Sequence, residues 1–135
     1  MLGRRMKRKG FSLVELLIVI AIIGIIATIA IPILLSARQN AIREKARNSL
    51  RTIVSAEAAY YSANGAYTDL TGLNAPPAPQ TAYIDAVLAS GTMPEMAFTC
   101  VANPDFETGF LATALTDSLN IPDYTADETG VITEI

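Results

Sequence analysis

The sequence contains no histidine and a single cysteine, Cys100. These two scarcities exclude a Cys/His nucleophile pair, a His/Cys zinc cage and an intrachain disulfide, so stability has to come from packing or from assembly. Cys100 itself reads as a small buried apolar side chain. Basic residues are unevenly distributed: all 10 lie between Arg4 and Arg51. Residues 52–135 carry no basic residue and 11 acidic ones, a formal net charge of −11 within a chain whose total is −3. An acidic body of this kind repels phosphate backbones, and no nucleic-acid partner is expected. There is no glycine-rich phosphate loop, and the carboxylates are scattered through turn-like stretches. No catalytic constellation emerges, and the chain is expected not to be an enzyme.

The charges missing elsewhere are concentrated at the start. Five Lys/Arg fall within the first ten residues, MLGRRMKRKG, and the run FSLVELLIVIAIIGIIATIAIPILL follows. From Leu16 to Leu35 there is no charged side chain. Twenty such residues in a helix span about 30 Å, the thickness of a bilayer's hydrocarbon core. The preceding basic cluster sets the orientation, with residues 1–9 cytoplasmic and everything beyond Leu35 outside. The run is too long for a cleaved secretory signal and too apolar on every face for the core helix of a small domain. Glu15 breaks the pattern. A carboxylate at bilayer depth costs on the order of 2.5 to 3.5 kcal/mol, less near the edge, and calls for a partner. Cleavage between Gly10 and Phe11 would create an α-amino group four residues from Glu15, one helical turn away. That amine can pair with Glu15 of its own chain or of a neighbour.

The segment Gly10-Phe11-Ser12-Leu13-Val14-Glu15, with a short basic leader before it and the apolar run after it, resembles the prepilin signature of type IV pilins and type II secretion pseudopilins. The resemblance covers roughly residues 7–55 and implies several roles. A membrane prepilin peptidase would cut after Gly10, and Phe11 would be N-methylated. Glu15 would neutralise the N-terminus of an adjacent subunit during assembly, and the helix-breaking proline of the family falls on Pro32. Local loss of helix between Gly24 and Pro32 within filaments is likewise implied by the resemblance alone. From the residues themselves, Pro32 removes a backbone donor and bends or opens a helix, and Gly24 is a close-packing position.

Beyond Leu35 the pattern becomes amphipathic: Ile42, Ala46, Leu50, Ile53, Glu57, Tyr60 and Asn64 recur at threes and fours, which predicts helix from Phe11 to about Asn64, stopped by Gly65. Fifty-four residues at 1.5 Å each make roughly 80 Å, so the first half must be covered by lipid or by other subunits. Arg38, Arg43, Lys45, Arg47 and Arg51 stud the second half, either as a solvated face or facing the acids of neighbouring subunits. Residues 66–73 read as a loop, and Pro76-Pro77-Ala78-Pro79 as a stiff connector. Residues 83–90 read as a short helix, and residues 96–101, 109–115 and 130–135 as strands. The expectation is an α+β fold, with a long N-terminal helix kinked at Pro32 and a three-stranded antiparallel sheet on its second half, the lollipop of the pilin family. Three segments follow: a leader over 1–10, a membrane and filament-core segment over 11–35, and residues 36–135 as exposed helix plus acidic domain. Asp123, Asp127, Glu128 and Glu134 are the candidate calcium ligands, but without a tight calcium-loop spacing the expectation is no cofactor. How the C-terminal region is held without a disulfide is left open by the sequence.

The resemblance implies a structural subunit: the major pilin of a type IV pilus-like filament serving adhesion or motility, with the major pseudopilin of a type II secretion system as the alternative. The implied partners are further copies of the chain, the prepilin peptidase, an inner-membrane assembly platform with its ATPase, and membrane lipid before assembly. The implied location is the inner membrane as a single-pass precursor, then an extracellular filament. From a different class, the same features fit an uncleaved single-pass anchor carrying a ligand-binding domain.

Overall fold

The structure, a computed structural model, describes residues 10–103, 105–118 and 120–135. The expected leader over 1–10 therefore lies outside the described residues except for Gly10. The chain divides into two compact units, one ending at Ala37 and the other spanning Arg38–Ile135. One helix, α1 (Leu13–Asn64), contributes to both.

In the first unit, α1 begins immediately after Ser12, whose carbonyl accepts the Leu16 N–H at 3.2 Å. The large apolar side chains from Phe11 to Leu35 are 45% to 80% exposed. An isolated stretch of this kind has no amphipathic stripe and needs an apolar surround. The helix is unbroken at Pro32, although that ring removes the donor for the Thr28 carbonyl.

In the second unit the 3–4 periodicity becomes a buried face. Ala46, Leu50, Ile53, Ala56 and Glu57 are buried, flanked by partly buried Ile42, Val54 and Tyr60. α1 stops where expected: Gly65 adopts φ +75°, a left-handed conformation that costs glycine little, and donates to the Tyr61 carbonyl at 2.8 Å. Next come α2 (Leu70–Asn74) and α3 (Ala86–Ala89), capped by Asp69 and Asp85, which accept from Gly72 N and Leu88 N. α2 replaces part of the loop expected over 66–73. The sequence Leu-Thr-Gly-Leu-Asn has poor helix propensity, and the turn is secured by its cap and by burial of Leu70 and Leu73.

The sheet has five antiparallel strands in sequence order: β1 (Thr92–Met93), β2 (Met96–Ala102), β3 (Phe110–Thr116), β4 (Tyr124–Asp127) and β5 (Ile132–Glu134). Three of these match the expected strands to within a residue or two; β1 and β4 are additions to the expected three. β4 is only four residues long, between Pro122 and an Asp-Glu-Thr-Gly turn, too short to register as a periodic run. It is held by pairing on both sides, with β3 and with β5. Alternate residues turn inward: Met96, Phe98 and Cys100 from β2, Phe110, Ala112 and Ala114 from β3, and Tyr124 and Ala126 from β4. With the helix face they form one core.

The C-terminal region is held without a disulfide. Tyr124 is fully buried, Ile135 N donates to the Asp123 carbonyl at 2.9 Å, and Glu134 is ion-paired with Arg47 on α1.

Candidate processing and assembly site

Gly10, Phe11 and Ser12 are exposed and precede the helix, so the Gly10–Phe11 bond lies in a non-helical stretch, the form of backbone that a peptidase groove accepts. Ser12 occupies the N-cap and Glu15 the third helical position. The Glu15 carboxylate reaches back to accept the Ser12 backbone N–H at 3.2 Å. This is one half of a capping box. It places the negative charge where unsatisfied helical N–H groups and the helix dipole favour it. In the uncleaved chain Glu15 therefore has only a neutral partner at 3.2 Å, and no cation pairs with it among the described residues.

Two further positions in this unit were singled out. A Cβ built on Gly24 meets nothing within 4 Å, so nothing in the chain itself requires the missing side chain. Thr28 Oγ1 donates to the Gly24 carbonyl at 2.8 Å, and Ser36 Oγ to the Pro32 carbonyl at 3.0 Å. Both hydroxyls are satisfied by the helix backbone, which lowers the cost of placing them in an apolar surround.

Two of the five basic residues of the second unit pair with carboxylates of their own chain, whereas Lys45 and Arg51 are exposed and, among the described residues, meet none. Arg38 pairs with Glu95, and Arg47 with Glu134 at 2.6 Å and Glu44 at 3.5 Å. Arg43 donates to the Asn120 carbonyl at 3.1 Å. The four carboxylates considered for calcium are dispersed: Asp123 accepts from Thr116 N, Asp127 from Thr129 N, and Glu134 is paired with Arg47. Among the described residues no group of three or more acidic or cysteine side chains is arranged to hold a metal ion.

One interior group escaped the sequence reading. Glu57 is fully buried on the inner face of α1. Its Oε2 accepts the Thr68 N–H at 3.0 Å, and its Oε1 accepts the Cys100 thiol at 3.4 Å. Burial pushes its carboxyl up to about 7, with those two donors pulling it back down. The same burial and the adjacent Glu57 raise the Cys100 thiol well above its ordinary range, so the cysteine remains a protonated donor. The available signal was a glutamate at a position of the apolar stripe, between Ile53 and Tyr60.

The prokaryotic N-terminal methylation motif matches residues 5–31, which include Gly10, Phe11, Glu15 and Gly24 and stop one residue short of Pro32. Over 63 residues the chain is 36% identical to the type IV major pilin protein PilA of Myxococcus xanthus, a match covering 47% of this chain and 29% of that protein. Over 60 residues it is 47% identical to the type IV wide pilus major component PilA4 of Thermus thermophilus, covering 44% of this chain and 46% of the relative. The chain thus spans less than half the length of these curated relatives in each match. Over part of its length the chain is thus similar to the prokaryotic N-terminal methylation motif and to two type IV pilus major components.

Proposed function

We propose that this chain is the major structural subunit of a type IV pilus-like filament, cut between Gly10 and Phe11, N-methylated at Phe11 and polymerised through residues 11–35. The observation that carries this reading is that residues 11–35 are apolar and exposed on every side, with one charge, Glu15, in the first turn of α1. Before assembly the surround is lipid, and the chain is a single-pass membrane precursor. On assembly the lipid is exchanged for a bundle of equally apolar helices from other copies, which leaves the apolar surface as well covered as before. Glu15 then supplies selectivity. Cleavage creates a cationic amine, and an incoming subunit that pairs this amine with Glu15 of a neighbour removes two isolated charges from an apolar surround at once. Prepilin peptidase, an assembly platform and its ATPase are the machinery this requires, and no cofactor takes part. That both relatives are named as major pilus components favours a major over a minor subunit, and a pilus over a secretion pseudopilus.

The test is the N-terminal residue and intact mass of protein sheared from the cell surface. A high-molecular-weight fraction beginning at methylated Phe11 is expected. Intact chain beginning at Met1 and confined to the membrane would overturn the reading in favour of an anchored monomer. Glu15→Ala is expected to leave insertion and membrane level unchanged and to abolish efficient assembly; normal filament yield from that variant would rule out the pairing role.

A further inference from the structure

Of the six asparagines, Asn64 alone precedes a glycine. Asn-Gly is the pair that loses its side-chain amide most readily, because no Cβ hinders attack by the following backbone nitrogen. Asn64 is the last residue of α1, and both it and Gly65 are exposed. A Cβ built on Gly65 meets nothing within 4 Å, so the space around the pair is open. Hydrogen bonds nevertheless hold it in an unreactive arrangement. Gly65 N donates to the Tyr61 carbonyl at 2.8 Å. Asn64 Nδ2 is turned back to the Tyr60 carbonyl at 3.0 Å and also donates to Gln80 Oε1 at 3.1 Å, while Gln80 Nε2 donates to Asn64 Oδ1 at 2.9 Å.

Gln80 closes the proline-rich connector, where its own N–H donates to the Pro77 carbonyl at 3.1 Å. Its Oε1 accepts a second bond, from the Tyr83 hydroxyl at 3.1 Å, and the Tyr83 ring meets Tyr60 of α1 edge-on with centroids 5.8 Å apart. Tyr83 N donates to the Leu73 carbonyl at 2.8 Å, which ties the far end of the connector to α2. Among the described residues, the reciprocal amide pair of Asn64 and Gln80 is the one hydrogen-bonded link between residues 75–82 and α1. The same pair thus fastens the connector and restrains the reactive amide.

We propose that Asn64 is a site of spontaneous deamidation held back by Gln80, and that its conversion releases the connector from α1. When the end of the helix frays and the Gln80 bonds open, Gly65 N gives its proton to hydroxide or water and attacks Asn64 Cγ. A bond forms between Gly65 N and Cγ, the Cγ–Nδ2 bond breaks, and Nδ2 takes up a proton and leaves as ammonia. Water then adds to either carbonyl of the cyclic imide, breaks one of its two C–N bonds and leaves aspartate or isoaspartate at position 64. Nothing is oxidised or reduced. The new carboxylate has no hydrogen to donate, so both bonds made through Nδ2 are lost and it faces Gln80 Oε1 and the Tyr60 carbonyl as acceptor against acceptor. It also puts a negative charge where the helix dipole is already negative. Both effects part the connector from the helix.

The experiment ages the full chain in detergent micelles at mildly alkaline pH and follows the Asn64 peptide by mass spectrometry, with aspartate and isoaspartate products separated. The free peptide Ser-Ala-Asn-Gly-Ala, which has no Gln80, serves as the unrestrained reference. The unaltered chain is expected to convert at least about tenfold more slowly than that peptide, and Gln80→Ala to recover most of the difference. Folding of the variant is checked by protection of the buried Cys100 thiol. Should Gln80→Ala misfold, Tyr83→Phe keeps the ring and removes only the hydroxyl that holds Gln80 Oε1, and a smaller acceleration is expected. In aged, converted chain the Gln80 and Tyr83 amides are expected to exchange faster while those of β2 and β3 stay protected. Conversion of the unaltered chain at the peptide's rate, folded variants no faster than the unaltered chain, or converted chain with an equally protected connector would each overturn the inference.

Discussion

Arg47 Nη2 lies 2.6 Å from Glu134 Oε1, and its guanidinium carbon sits 5.1 Å from the centre of the Tyr124 ring. A single helical side chain thus covers the buried tyrosine of β4 and ties down β5, the last strand. Where a C-terminal region without a disulfide needs a fastening, this cation supplies one. Replacing Arg47 by Met keeps an apolar stem over the ring but loses the charge and the fork of donors. Amide exchange at Thr133 and Ile135 is expected to quicken about tenfold in Arg47→Met while β2 and β3 amides stay protected. Uniform protection across the sheet would show that strand pairing alone holds β5.

Glu57 gives the domain a pH-dependent stability of defined sign. Its folded carboxyl titrates at about 7, above its ordinary value of 4.5, because burial disfavours the charge. The folded state therefore holds the proton more tightly than the unfolded state. The resulting stabilisation is fully present below about pH 4.5, fades as pH rises towards 7 and is gone above it, a total on the order of 3 kcal/mol. Chemical denaturation of the full chain in detergent micelles measures it, with Glu57→Gln as reference. The stability of the unaltered chain minus that of the variant is expected to decline as pH rises from about 5 and to level off above about 8. A difference that does not change with pH would mean that Glu57 titrates normally.

Cys100 is expected to be chemically silent until the domain opens. The thiol is buried, and it donates to Glu57 Oε1 and lies 3.6 Å from the Thr68 carbonyl. Thiolate is the reactive form, and both burial and the neighbouring carboxylate oppose it. A maleimide reagent is expected to label Cys100 at the global unfolding rate, at least about a hundredfold slower than an exposed thiol. Rapid labelling of folded protein would place the thiol outside the core.

The features legible in the sequence were those whose cause is local. The methylation motif is carried by Gly10 to Glu15 and the run behind it, and α1 announces itself through an uncharged segment followed by threes and fours. Its end at Asn64 follows from Gly65. What stayed hidden depends on residues far apart in the chain. Glu57 meets Cys100 across 43 positions, and Arg38 meets Glu95 across 57. In a list of helical spacings a buried glutamate and a solvated one look alike, and only the fold shows which arginines already have partners. β1 and β4 were missed because two and four residues carry too little periodicity, their existence being decided by the strands they join. α2 was missed because its cap, not its composition, makes it a helix.

The strand order has a consequence for how the domain is made. Every strand pairs with its neighbour in sequence, and β2 and β3 are joined by a short turn. Each pairing closes only a small loop, so little chain entropy is lost before contacts form in return. A polypeptide emerging N-terminus first can lay one hairpin against the next on an amphipathic helix already in place. No strand has to wait, edge exposed, for a distant partner, and the interval in which the chain is open to misassociation is correspondingly brief.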